Sequence, residues 1–139
     1  LILVPRAKGS HKMTVASRQT LIDEMIKKLP QGLVHPGPDL RTTKLNIHSL
    51  ANFVVGRLLN VARSNLTDSD TIQGRWSAES LKDMSDEELE KLVKHIKMVM
   101  RRITPVNYDY NVVPDFTNRG KDTSSKDAGH ITLSIVPAP

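Results

Sequence analysis

Four cations near the end of one helical segment are the residues of this sequence best placed for chemistry. At about 100° per residue, Lys94, Lys97 and Arg101 fall within about 60° of helical arc, and Arg102 lies further round. A row of cations at this spacing can follow the phosphates of a nucleic acid. We call Lys94, Lys97, Arg101 and Arg102 the basic ridge and predict that it contacts nucleic acid.

A purely structural explanation of the basic ridge competes with the functional one. Glu90 stands one helical turn before Lys94, in the order that stabilises an isolated helix, and Glu87 stands likewise before Lys91. Bases at the end of a helix also complement its dipole. No aromatic residue is interleaved with the ridge to stack on bases. The sequence leaves both explanations open.

The remaining polar residues supply no metal site and no catalytic set. Asp68, Asp70 and Glu79 stand at the first, third and last positions of a calcium-binding loop. However, Ile72 and Gln73 occupy positions that require a ligand and a glycine. The histidines are scattered, and the absence of cysteine excludes thiolate ligands and a cysteine nucleophile. We predict no metal, no cofactor, no catalytic residue and a protein that is not an enzyme.

The basic ridge belongs to the helix that the sequence defines best. Ser85 and Glu88 have the spacing of a capping box, acids fill the first turn, and Pro105 ends the segment. Apolar residues at helical spacing give this helix one continuous buried face. They are Leu89, Leu92, Val93, Ile96, Val99, Met100 and Ile103.

A second helix, over residues 47–66, is expected to be central because apolar residues cover most of its circumference. Gly56 indicates either the close approach of another backbone or a glycine that the helix merely tolerates. Since a small bundle covers such a helix only in part, we predict that Phe53, Val55, Gly56 and Leu59 form a homo-oligomer interface, most simply a two-fold dimer. The C-terminal arm is the other candidate to cover this face.

The expected architecture is all-α. Residues 1–12 have the features of an expression-tag remnant, residues 13–105 form a helical domain, and residues 106–139 form an extended or partly disordered C-terminal arm. The small helical bundle contains three main helices, the first capped by Thr20, and one short helix after Ser77. Ile131, Leu133 and Ile135 alternate with polar residues as in a strand, but no partner strand is evident.

Charge and composition restrict the class of protein. The net charge is +5. Residues 1–12 hold three cations and no acid, so without them 17 basic residues face 15 acidic ones, and the net charge is +2. Overall basicity therefore does not indicate nucleic acid. With no cysteine, no visible signal peptide and no long apolar run, we expect a cytoplasmic protein without membrane contact.

One segment resembles a known family. Gly74-Arg75-Trp76-Ser77-Ala78, followed by Leu81 and Met84-Ser85-Asp86-Glu87-Glu88-Leu89, is similar to the end of the GemA-type regulators of Mu-like phages. The similar segment covers about a sixth of the chain, and the extra helix that the family would carry between its two helices is replaced here by a short polar loop. The resemblance implies a phage- or plasmid-type accessory protein, with no site residues carried over.

Two functions follow as expectations. The first is a small regulatory or accessory protein that binds nucleic acid, or the machinery acting on it, and associates with itself. The second is a protein–protein adaptor or inhibitor that makes no nucleic-acid contact. In both cases a protein partner is expected, and fold class does not distinguish them.

Overall fold

The computed structural model describes residues 14–30, 44–67, 71–78, 81, 84–117 and 129–139. Within these residues the element order is α1 (Val15–Lys27), α2 (Lys44–Ser64), β1 (Ile72–Trp76), α3 (Asp86–Ile103), β2 (Tyr108–Asp115) and β3 (His130–Pro137). The predicted tag remnant, residues 1–12, lies outside the described part of the chain.

The predicted all-α helical bundle is wrong, because the described residues form a three-stranded antiparallel sheet as well as three helices. The segment expected to be an extended or partly disordered C-terminal arm supplies β2 and β3. The first strand, β1, occupies a stretch that the sequence predicts as a polar loop. The short helix expected after Ser77 lies largely outside the described residues; Leu81 has 3₁₀-helical conformation, and its N–H donates to the Ala78 carbonyl.

The central strand of the sheet is β3, in the order β1-β3-β2. Its alternating residues Ile131, Leu133 and Ile135 are fully buried, as the period of a half-buried strand requires. They pair with Trp76, Gly74 and Ile72 of β1. The strand predicted here had no evident partner because β1 is distant in sequence and β2 lies in the segment expected to be an extended arm.

The helix predicted to carry the basic ridge is α3, and its sequence signals are confirmed. The Ser85 side chain accepts from the Glu88 N–H at 3.1 Å, and the Glu88 carboxylate accepts from the Ser85 N–H at 2.9 Å. All seven residues of the predicted apolar face are buried. Capping and periodicity are properties of adjacent turns, so the sequence was sufficient to locate this helix.

The core is built around α2, against which α1, α3 and β1 pack. Val54, Val55, Leu58 and Leu59 are all fully buried in the single chain. The apolar circumference that indicated a central helix is therefore covered on several sides by elements of the same chain. The sheet, absent from the predicted bundle, supplies part of that cover.

The close backbone approach lies at Gly74 rather than at the predicted Gly56. A Cβ atom at Gly74 would overlap the Leu58 carbonyl oxygen and lie 3.1 Å from the Ala62 nitrogen, so β1 rests directly on the backbone of α2. A Cβ atom at Gly56 would meet only the Leu29 Cδ1 atom, at an ordinary 3.7 Å. Glycine is thus required by packing at Gly74 and not at Gly56.

The first helix begins earlier than predicted. Its N-cap is Thr14, whose hydroxyl accepts from the Ser17 N–H at 3.0 Å, whereas the Thr20 hydroxyl donates to the Ala16 carbonyl within the helix. The first turns carry few apolar residues, so the hydrophobic pattern does not mark them. Arg18 lies in these turns and is nevertheless 1% exposed.

Candidate binding surface on α3

Three cations of the basic ridge lie together on the outer face of α3. Lys94, Lys97 and Arg101 are all exposed. The described residues place no carboxylate in ion-pair contact with any of them, so the expected pair between Glu90 and Lys94 does not form. Neighbouring Lys91, by contrast, lies 3.6 Å from the Glu87 carboxylate. The ridge therefore presents three charges that the described part of the chain leaves available.

The fourth cation of the ridge, Arg102, is positioned against α2. Its Nη2 atom donates to the Asn52 side-chain oxygen at 3.4 Å. Asn52 is only 1% exposed, and its amide nitrogen donates to the His48 carbonyl at 3.0 Å. Because a buried amide needs partners for both ends, Arg102 contributes to the packing of α3 on α2. Helical spacing alone could not show this role.

The carbonyl groups of α3 find partners on other elements. The Lys28 Nζ atom lies 3.4 Å from the Ile103 carbonyl oxygen at the end of the helix. The Tyr110 hydroxyl donates to the Lys97 carbonyl at 3.3 Å, which ties β2 to the outer side of α3. Lys28 thus supplies a cation at the C-terminal end of α3, where the sequence predicts only the ridge itself.

A groove with a volume of about 500 Å³ runs between α3 and the end of β2, and we call it the α3–β2 groove. Apolar side chains alternate with acids near the start of α3 and with two ridge cations further along. Sequence reasoning missed this groove because its second wall belongs to the segment expected to be a flexible arm. The lining residues are Asp86, Leu89, Glu90, Val93, Lys94, Lys97, Pro114 and Phe116.

No protein-family model, curated protein or solved structure matches the chain. The resemblance to the GemA-type regulators therefore gains no support from the comparisons. What the surface can do has to be argued from the geometry of α3 and its neighbours.

Two of the four residues predicted as an oligomer interface are buried inside the chain. Val55 and Leu59 are fully buried, and Gly56 faces Leu29. Phe53 is half-buried, with the Arg57 guanidinium carbon 6.0 Å from its ring centroid. A second copy could reach Phe53 but not Val55 or Leu59. The uncovered apolar face that suggested a dimer is therefore not found at these positions of α2.

The described histidines do not converge on one site. The rings of His48 and His95 meet edge to face with centroids 6.2 Å apart, and a His95 ring nitrogen lies 2.8 Å from the Lys91 carbonyl. Among the described residues, no group of three or more histidine, cysteine, aspartate or glutamate side chains is arranged to hold a metal ion. His35 and the three acids of the calcium-like loop, Asp68, Asp70 and Glu79, lie outside the described residues.

A charged cluster that the sequence did not reveal joins the three strands at one end of the sheet. Arg75 Nη2 lies 2.9 Å from His130 Nδ1, and the Asp115 carboxylate lies 3.8 Å from His130 Nε2. Hydrogen bonds from Thr117 lower the pKa of Asp115, and the nearby His130 and Arg75 act in the same direction. The cluster links the ends of β1, β2 and β3 across the exposed face of the sheet.

Trp76 is 8% exposed on the inner face of β1 and belongs to the hydrophobic core. In the described residues, none of the helices combines the length and the apolar character that crossing a membrane requires.

Proposed function

We propose that this is a non-enzymatic regulatory or accessory protein of the cytoplasm that contacts the phosphates of a nucleic acid through α3. The observation that supports the proposal most directly is the set of exposed cations Lys94, Lys97 and Arg101. They share one helical face and have no carboxylate partner among the described residues. Arg102 borders this face but is partly engaged by Asn52.

Such a surface would bind chiefly by electrostatic attraction. Each phosphate neutralised by a cation releases counterions, so affinity should fall steeply as the salt concentration rises. Within the described residues, the ridge carries no stacked aromatic residue and no side-chain pair fixed for base recognition. Binding with little sequence preference follows, with the ridge acting on the backbone of the nucleic acid rather than on its bases.

The test compares two variants from which the same amount of charge is removed. Replacing Lys94, Lys97 and Arg101 with glutamine should abolish binding to mixed-sequence duplex DNA and RNA at low salt. The control replaces Lys27, Arg57 and Lys91 with glutamine; these cations lie off the ridge. Fluorescence anisotropy over a salt titration, on protein lacking residues 1–12, measures both variants. The salt dependence should become shallower by about one unit of slope for each phosphate that the variant no longer neutralises.

Two results would overturn the proposal. The first is that the protein without residues 1–12 has no affinity for either nucleic acid at low salt. The second is that the substitutions of the control variant weaken binding as much as those of the ridge variant. Circular dichroism melting of both variants excludes unfolding as the cause, since exposed charges and exposed ion pairs contribute little to stability.

A protein–protein adaptor or inhibitor that makes no nucleic-acid contact is the second candidate. It is favoured by the α3–β2 groove, whose apolar lining includes Leu89, Val93 and Phe116. This function is indicated if the protein does not bind nucleic acid at low salt but does bind a protein partner. The same salt titration therefore separates the two candidates.

A further inference from the structure

The β2 strand has a free edge on the side that faces away from β3. In the order β1-β3-β2 it is the last strand, and no strand among the described residues pairs with its other side. Pro114 of β2 pairs with Ile131, and Tyr108 of β2 pairs with Pro137. Proline has no N–H to give to a ladder, so both pairs are of the type that exchanges no hydrogen bonds.

The alternation of hydrogen-bonded and non-hydrogen-bonded pairs determines which backbone groups of β2 point away from β3. Tyr108 and Pro114 are separated by an even number of residues, so Tyr110 and Val112 share their orientation. Two hydrogen bonds support this orientation. The Ala138 N–H donates to the Asn107 carbonyl, so the adjacent pair is of the hydrogen-bonded type. The Tyr108 N–H donates to the Pro105 carbonyl and therefore points away from β3. The N–H groups of Tyr110 and Val112 therefore point away from β3, without a backbone acceptor in the described residues.

The α3–β2 groove lies between α3 and the end of β2, and it provides places for side chains at that end of the strand. Leu89 and Val93 form its floor on α3, and Pro114 and Phe116 form the wall at the end of β2. The Tyr110 hydroxyl bound to the Lys97 carbonyl connects the two walls at the other end. An edge strand beside a helix is the arrangement in which extended peptides add to a sheet.

We propose that an extended segment of a partner protein adds to the free edge of β2 as a fourth strand. Its main chain accepts hydrogen bonds from the N–H groups of Tyr110 and Val112. Its inward side chains are apolar where they meet Val93 and Phe116, and carboxylates where they approach Lys94 and Lys97. The proposal does not require nucleic-acid binding, although Lys94 and Lys97 belong to both surfaces.

Charge distinguishes a partner protein from a second copy of this chain. Asp109 and Asp115 lie on the exposed face of β2, at its two ends. Two β2 strands paired edge to edge would bring these carboxylates towards one another, which is unfavourable. A suitable partner has basic residues at its outward positions, opposite Asp109 and Asp115, and apolar or acidic residues at its inward positions.

The test uses a synthetic peptide that alternates lysine with valine or glutamate over about ten residues, which is enough for one strand. Amide hydrogen exchange by NMR is measured on the full chain with and without the peptide. The amides of Tyr110 and Val112 should exchange fast in the free protein and slow by about tenfold or more when the peptide is bound. The amides of Asn111 and Val113, which face β3, serve as internal controls and should be protected in both states.

Two matched variants test the charges of the groove. Replacing Lys94 and Lys97 with glutamate should weaken peptide binding by about tenfold or more, because like charges then meet in the groove. Replacing Lys91 with glutamate should leave it unchanged, since Lys91 does not line the groove. A peptide methylated at its backbone nitrogens on the outward edge, away from β2, should still bind.

Three results would overturn the proposal. The first is that the peptide fails to bind, or binds without protecting the amides of Tyr110 and Val112. The second is that these two amides are already protected in the free protein at low concentration, which would mean that the chain covers its own edge. The third is that their protection rises with protein concentration alone, which would assign the edge to a second copy.

Discussion

At the scale of single residues, contact with backbone decides what a position tolerates. Gly74 and Gly56 are both glycines in regular structure, and only Gly74 has backbone atoms where a side chain would begin. Asn52 shows the same dependence on its surroundings, because its burial is acceptable only with Arg102 and His48 as partners. Neither role follows from residue type, since each depends on what another element places opposite.

Replacing Gly74 with alanine should destabilise the protein by about 2–3 kcal/mol, because the added methyl group forces β1 away from the backbone of α2. Replacing Gly56 with alanine is the matched control and should be neutral or stabilising by up to about 1 kcal/mol, since alanine favours helix and meets only Leu29. Urea denaturation followed by circular dichroism measures both variants. Equal losses of stability would contradict the packing of β1 on α2.

At the scale of elements, the central strand β3 holds the sheet together. It pairs with β1 on one side and β2 on the other, and three of its side chains reach the core. Without it, the two remaining strands have no partner in the described residues. The segment that the sequence predicted as an extended or partly disordered arm is therefore the one on which the sheet depends.

Deleting residues 130–139 should abolish cooperative unfolding. Burial of Ile131, Leu133 and Ile135 contributes about 2 kcal/mol for each side chain, which in sum is comparable with the whole stability of a small domain. Deleting residue 139 alone is the control and should leave the unfolding transition in place. A truncated protein with an unchanged helical spectrum and melting temperature would show instead that the helices are stable without the sheet.

At the scale of the whole molecule, one chain covers its own central helix. The prediction of a dimer assumed that α2 retained an uncovered apolar face, and the sheet removes that reason. Surfaces that remain for partners are the basic ridge, the α3–β2 groove and the edge of β2. All three lie on or beside α3 and β2, so partner binding should leave α2 in place.

Replacing Val55 with glutamate tests this arrangement. An interface position would give a folded monomer from a larger assembly, whereas a fully buried position should give an unfolded or aggregated protein, because an unpaired buried carboxylate costs several kcal/mol. We expect unfolding, measured by circular dichroism and light scattering. Replacing exposed Asn60 of the same helix with glutamate should leave fold and mass unchanged. A soluble helical Val55 variant of lower mass than the wild type would support the dimer.

The sequence by itself determined the features that depend on neighbouring turns. The capping box at Ser85, the buried face of α3 and the central place of α2 all followed from spacing, as did the exposure of Lys94, Lys97 and Arg101. These signals are local, since side chains one turn apart on a helix meet whatever the rest of the chain does.

Only the tertiary structure decided the fold class and the candidate groove. β1 carries a glycine at the centre of its buried face, which hides its alternation, and β3 pairs with this strand although the two lie far apart in sequence. Pairing across such distances, the contact of Gly74 with α2 and the groove beside Phe116 depend on which segments meet in space. No window of neighbouring residues contains that information, because strand pairing and burial are interactions between distant parts of the chain.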